Sequence, residues 1–311
     1  MPGTRLLRRR AAGPPARVPA GRSRAILTPM TIARPRAFSQ VDVFTDTATL
    51  GNPVAVVHDA AGLTTAQMQA FTNWTNLSEA TFLLPPTNPE ADYRVRIFCP
   101  GRELPFAGHP TLGTCHAWLA AGGAPIGDDV VQECDLGLVR IRRSTGRLAF
   151  LAPPLLRSGP LDESDVARIA AGLGVGREDV IDHQWCDNGP NWQAVLLRDA
   201  QLVLSLAPDP QVLAGLDIGV VAPSADPGID FEVRAFFPGN AGLTEDPVTG
   251  SLNAALAQWL IGTGRAPADY VAAQGTRLGR RGRVHVSSDA EGVWIGGDCV
   301  TVMSGKVMLT D

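Results

Sequence analysis

A chain of 311 residues with 45 % apolar and 19 % charged side chains carries enough hydrophobic surface for a substantial core and has room for two domains of ordinary size, which excludes a disordered protein. The formal net charge of −4 supplies no basic field to gather nucleic acid, and no run of about eighteen apolar residues is available to span a bilayer. Neither nucleic acid nor membrane is an expected partner, which leaves a small molecule.

Residues 1–41 hold nine arginines, no acidic residue, and prolines at positions 2, 14, 15, 19, 29 and 35. An export or organelle signal is one reading of such a leader, but the prolines interrupt an amphipathic helix and "AILTPMTIA" is too short for an apolar signal core. Residues 1–36 are therefore expected outside the folded body, as a disordered leader or as sequence ahead of a true start at Met30.

Strand signals follow, in "QVDVF", "PVAVVH", "ATFLL", "YRVRIF", "GLVRIR" and "RLAFL", broken by "GNP", "PP" and "NPE". The proline-rich "LAPPLLRSGPLDESD" reads as a linker, and Glu163 to Leu173 as an amphipathic helix stopped by "GLGVG". Those glycines follow a helix instead of a strand, so they terminate it and do not form a dinucleotide fingerprint. A second set of strands comes next: "WQAVLL", "FEVRAFF", "RVHVSS", "GVWIGG" and "VMLT". This content is that of tandem α+β units.

An internal repeat organises these elements. "VRIFCPGRELPFAGHPTLG" from Val95 and "VRAFFPGNAGLTEDPVTGS" from Val233 both run from a strand through E-x-P-x-x-G (Glu103, Pro105, Gly108; Glu245, Pro247, Gly250) into a short helix. The two helices, about residues 110–121 and 252–261, are apolar almost all round and are expected to be buried, each wrapped by its own sheet. Their N-termini offer free N–H groups and a positive dipole end, with His109 and Ser251 as expected caps and Pro110 in a first turn. If the halves face each other, the two tips form one cleft suited to a carboxylate substrate and to an enolate-like intermediate.

"GNPVAVV", "NLSEATFLL", "ELPFAGHPTLG" and "EDPVTGS" stand in the order and approximate spacing of the PhzF-like family of phenazine biosynthesis, which the chain closely resembles from Val41 to its C-terminus. The resemblance implies the diaminopimelate-epimerase-like α+β fold: two pseudo-symmetric domains, each a curved sheet or barrel around a central buried helix. One is expected over residues 37–155 with residues 300–311 returning to it, the other over residues 156–299. It implies a cofactor-independent isomerase, and a homodimer. It also places the catalytic glutamate at Glu79, with His109, Asp246 and Ser251 as the other motif residues.

Read from the residues alone, Glu79 has a competing role in a capping box with Asn76, but no helix follows it. Leu77, Ala80, Phe82 and Leu83 around it are expected to desolvate the carboxyl and raise its pKa toward the range of a general base. His109 and Ser251 also suit simple helix-start roles, and Asp246 a turn. A metal set of Glu103, His109, His116 and Asp246 lacks any i, i+4 histidine pair, so no metal is expected. Lys306 is the single lysine and sits in a terminal strand, which argues against pyridoxal phosphate. The five cysteines, Cys99, Cys115, Cys134, Cys186 and Cys299, are odd in number and form no C-x-x-C pair. They suit a reducing cytoplasm, without a disulfide framework or structural zinc.

The resulting expectation is a proton-shifting isomerase without cofactor, acting on a small carboxylate such as a dihydro-hydroxyanthranilate. Glu79 moves the proton and His109 and Asp246 position or relay it. Ser251 and the backbone of Gly108 and Gly250 hold the carboxylate. The alternatives are an epimerase or racemase, whose paired cysteines this chain lacks at the helix starts, and a non-catalytic binding protein that kept the cleft.

Overall fold

A computed structural model describes residues 33–310 except Thr145, Asn240 and Ala241. The leader expected over residues 1–36 lies outside the described residues as far as residue 32. Ala33 to Arg36, however, belong to a strand, because they pair with Thr310 to Val307 at the other end of the chain.

The first half runs β1 (Ala33–Val43), β2 (Asn52–Val57), α1 (Thr65–Thr75), β3 (Glu79–Leu84), β4 (Tyr93–Cys99), β5 (Arg102–Leu104), α2 (Gly108–Ala120), β6 (Val130–Cys134), β7 (Gly137–Ser144) and β8 (Arg147–Leu151). A connecting helix, α3 (Glu163–Leu173), leads to the second half. That half comprises β9 (Val180–Trp185), β10 (Gln193–Leu197), α4 (Ala200–Ser205), β11 (Ile218–Pro223), β12 (Phe231–Gly239), β13 (Gly242–Asp246), α5 (Gly250–Gly262), β14 (Tyr270–Gln274), β15 (Gly282–Asp289) and β16 (Gly292–Gly297). The chain ends in β17 (Cys299–Thr310).

The two halves repeat one pairing scheme. β2 and β3 are parallel across α1 as β10 and β11 are across α4, and β4 and β6 are parallel across α2 as β12 and β14 are across α5. The remaining neighbours are antiparallel, and β8 pairs with β16 to join the halves into one continuous sheet. β17 then returns to β1, with a bulge between Gln40 and Val41. The repeated "VRxF" strands explain part of the likeness. Arg96 forks onto Glu103 at 2.6 and 2.5 Å, and Arg234 forks onto Glu245 at 2.9 and 2.7 Å. In each case the guanidinium also lies over the phenylalanine two residues on, Phe98 or Phe236. The glutamates of E-x-P-x-x-G thus brace the hairpins that lead into α2 and α5.

α2 and α5 are the buried helices, as their all-round apolar character requires. Leu112 and Cys115 of α2 and Leu252, Leu256, Trp259 and Leu260 of α5 share the principal core; each large side chain so buried contributes roughly 1.5–3 kcal/mol. α2 can lie close on β1 and β2 because a Cβ at Gly113 would stand 2.4 Å from Val54 Cγ1 and 2.9 Å from Val43 Cγ2. Trp259 is 3 % exposed, whereas Trp118 is only partly buried, its ring tilted against Tyr93. α1 covers the opposite face of the first half through Met68 and Phe71 on Phe82 and Phe98. α3 and α4 do the same for the second half through Val166, Ile169 and Val203 on Val195 and Val220.

Both buried helices begin two residues earlier than the sequence suggested. The residues ahead of them, Ala107 and Thr249, take extended N-cap geometry and make no side-chain cap bond. Ala107 has no group to cap with, and the Thr249 hydroxyl is spent on Asp246. His109 and Ser251 are therefore first-turn residues and not caps. Asn76 also differs from its capping-box reading: it closes α1 in a left-handed conformation (φ 56°), which turns the chain directly into β3 at Glu79.

Candidate active site

The helix tips meet where the halves join. A Cβ on Gly108 would stand 3.0 Å from Gly250 Cα, and a Cβ on Gly250 would stand 3.0 Å from Gly108 Cα and 3.1 Å from His109 N. Backbone lies on both sides, so only glycine permits the approach. The first amides bonded inside the helices are those of Thr111, to Ala107 O, and Asn253, to Thr249 O. Earlier N–H groups of both helices are left facing the junction, where they and the two dipoles favour negative charge.

Glu79, His109 and Asp246, from β3, α2 and β13, fall into one polar network at this junction. Glu79 Oε2 lies 3.3 Å from His109 Nε2, and both atoms are buried with no other hydrogen-bond partner among the described residues. Asn52, the first residue of β2, lies 3.4 Å through Nδ2 from His109 Nδ1, and donates to Asp246 Oδ1 at 3.1 Å and to the Val248 carbonyl at 2.9 Å. Thr249 donates to Asp246 Oδ2 at 2.6 Å. Asn52, His109, Asp246 and Thr249 are all buried.

Burial sets the protonation states. Desolvation, with a smaller contribution from the charge of Asp246, holds the Glu79 carboxyl well above the usual carboxylate range. Desolvation pushes His109 down to about 3 and outweighs its hydrogen bond to the Pro53 carbonyl. The imidazole is thus neutral at physiological pH. The Pro53 carbonyl can only accept and Nε2 has no hydrogen bond among the described residues, so the bond to Pro53 puts the ring proton on Nδ1 and leaves Nε2 toward Glu79 as an acceptor site. Asp246 is raised to about 6 by burial, against the hydrogen bonds from Thr249 and Asn52 and reinforced by the nearby Glu245. A carboxyl whose pKa is raised by burial, beside a neutral imidazole, is equipped to take a proton as the carboxylate and return it as the acid.

Ser251 lies in the first turn of α5 beside Gly250. Its Oγ accepts from Trp192 Nε1 at 3.1 Å and its carbonyl from Asn188 Nδ2 at 2.8 Å. His116 stands apart from this network, with Nε2 3.0 Å from Thr301 Oγ1. Asn52 and Thr249 lie inside the motifs "GNPVAVV" and "EDPVTGS", but nothing local to those motifs assigns either residue a role. The sequence has no signal for Gln274, which is fully buried and bonds to Thr249.

An α+β fold of two pseudo-symmetric halves, with buried carboxyls and an imidazole at their joined helix tips, defines the class of isomerases to which the named relatives belong. The family model described as phenazine biosynthesis-like protein matches residues 41–305. The trans-2,3-dihydro-3-hydroxyanthranilate isomerase of Pseudomonas aeruginosa is 33 % identical over 258 residues, 81 % of this chain and 90 % of that protein. The antisense-enhancing sequence 1 protein of Schizosaccharomyces pombe is 34 % identical over 290 residues, 87 % of this chain and 98 % of that protein. A crystal structure of a PhzF-family phenazine biosynthesis protein from Bacillus anthracis superposes with a TM-score of 0.75 at 23 % identity, covering 88 % of this chain and 99 % of that one. The chain belongs to the phenazine biosynthesis-like PhzF family and is an isomerase acting on a small molecule.

Proposed function

We propose that this isomerase shifts a proton between two carbons of a small carboxylate metabolite, with Glu79 as the general acid/base and no cofactor. The observation that carries this reading is the pair of buried, otherwise unpartnered atoms Glu79 Oε2 and His109 Nε2, 3.3 Å apart at the head-to-head helix tips. Glu79, as the carboxylate, takes the proton from an activated C–H and becomes the carboxylic acid. His109 holds the other end of the carboxyl, and the proton returns to a different carbon. Ser251 and the amides at Gly108 and Gly250 hold the substrate carboxylate, and the two positive helix ends stabilise charge that develops on the intermediate. Asn52 and Thr249 hold Asp246, whose charge keeps the Glu79 proton from leaving too readily.

The named activity of the Pseudomonas aeruginosa relative supports a dihydro-hydroxyanthranilate as the first substrate to test. The reading includes a cytoplasmic enzyme, supported by five free thiols, and association of two copies, supported by the family resemblance alone. Candidate carboxylates isomerised by the enzyme in deuterated water should give a product that has gained one mass unit at the reprotonated carbon. A confirmed substrate that isomerises without Glu79, or a complete metabolite panel that binds and never exchanges, would overturn the proposal.

A further inference from the structure

We propose that Gln274 is a positioning residue that, through the Thr249 hydroxyl, fixes Asp246 as a hydrogen-bond acceptor at the helix junction. This rests on the reading of Asp246 given above. Gln274 is the last residue of β14, paired in parallel with Val233 of β12, and is fully buried.

The direction of each bond in the chain is set by the one before it. The Thr249 backbone N–H can only donate, and it meets Gln274 Oε1 at 3.0 Å; Asn253 Nδ2 donates to the same oxygen at 2.9 Å. The amide orientation of Gln274 is therefore determined, and its Nε2 faces the other way. It donates to Thr249 Oγ1 at 2.9 Å and to the Asp246 carbonyl at 3.2 Å. A hydroxyl that receives a proton from Gln274 must direct its own elsewhere, and Asp246 Oδ2 is the acceptor at 2.6 Å. With Asn52 on Oδ1, both carboxylate oxygens face donors.

The charged and titratable groups around Asp246 make this orientation matter. Glu79 faces it with like charge, Glu245 is its chain neighbour and is paired with Arg234, and neutral His109 lies behind Asn52. Among the described residues no cation pairs with Asp246, so hydrogen-bond donors alone favour its ionised form against burial. If the Gln274 amide is lost, the Thr249 proton is free to turn to another acceptor and Asp246 loses its shortest bond. The anion is then harder to keep.

The test is the titration of the Asp246 carboxylate in the intact protein, followed by its infrared stretch and assigned as the band missing in Asp246→Asn. Gln274→Met and Thr249→Val should each raise its midpoint by about one pH unit, the size expected for one hydrogen bond to a charged group. The double variant should add nothing further, and Thr249→Ser should restore the wild-type midpoint. Thr249→Val carries the test if Gln274→Met does not fold. An unmoved midpoint in a folded variant would assign Gln274 to packing alone and overturn the proposal. Full turnover in Asp246→Asn would instead sink the role of Asp246 in the reaction and leave the titration result standing, so the two failures are distinguishable.

Discussion

Replacing Glu79 with Gln separates chemistry from architecture more cleanly than any other change at this site. The amide matches the carboxyl in size and can donate to His109 Nε2, the group 3.3 Å away, so the junction keeps its packing. What disappears is the oxygen able to accept a carbon-bound proton. A single acid/base group contributes about 10²- to 10⁴-fold, equivalent to roughly 3–5 kcal/mol of transition-state stabilisation. Stability should move the other way. Because the folded Glu79 holds its proton above the ordinary value of 4.5, the native state binds more protons than the unfolded chain between the two pKa values. Wild-type stability thus declines as pH rises through that window and stays lower above it. Gln has no such titration, so the variant at pH 7 should melt no lower than wild type and should lack that alkaline-side decline. The assay is turnover of a confirmed substrate in deuterated water, with ligand affinity by calorimetry and thermal melts across pH. Turnover within a few-fold of wild type would refute the acid/base assignment. Loss of binding together with turnover would assign Glu79 to substrate capture.

Four further expectations follow from the same geometry. His109, held at about 3 when folded against 6.5 as the reference value, binds its proton first in the unfolded chain. Stability should therefore fall as pH drops from about 6.5 toward 3, by roughly 2 kcal/mol between pH 7 and 5; His109→Asn should remove that component of the urea midpoint, and an unchanged acid slope would contradict the burial. Gly250→Ala places a methyl 3.0 Å from Gly108 Cα and should separate the tips, lowering kcat/KM about 10²-fold with a reduced Tm; wild-type kinetics would show that the close approach is not needed. Trp259→Ala should cost about 3–5 kcal/mol in chemical denaturation and Trp118→Ala clearly less, since only the first is buried; equal losses would argue against the difference in packing. Cys115→Ser, or alkylation of the native enzyme, should leave turnover intact, because this thiol is buried, pushed up to about 12, and lies seven residues inside α2, about 10 Å along the axis. Substrate-protected inactivation at one cysteine would revive a thiol mechanism.

The local pattern of the sequence carried much of this architecture. α3 occupies Glu163–Leu173, as its apolar periodicity and terminal glycines indicate. Alternating β-branched stretches mark most strands, and the doubled "VRxF…E-x-P-x-x-G" segment announces two equivalent halves. Such signals are short-ranged: the periods of 2 and 3.6 and the turn residues are read within a few positions. α2 and α5 start two residues ahead of their expected positions because neither has a side-chain cap: Ala107 has no capping group, and the Thr249 hydroxyl goes to Asp246, a tertiary competition that no local pattern shows. The three-residue strand β5 is too brief to show a period.

What the sequence by itself determined is the family. Four ordered motifs, which hold Glu79, His109, Asp246 and Ser251, identify the PhzF-like isomerases, and the missing cysteine at both helix starts sets this chain apart from a paired-thiol design. Only the tertiary structure decided how those residues act together. Asn52 reaches Asp246 across 194 positions of chain, Gln274 reaches Thr249 across 25, and Gly108 and Gly250 touch backbone to backbone. Burial at that contact raises Glu79, as the apolar neighbours in its motif indicate, and lowers His109, which no local pattern reports.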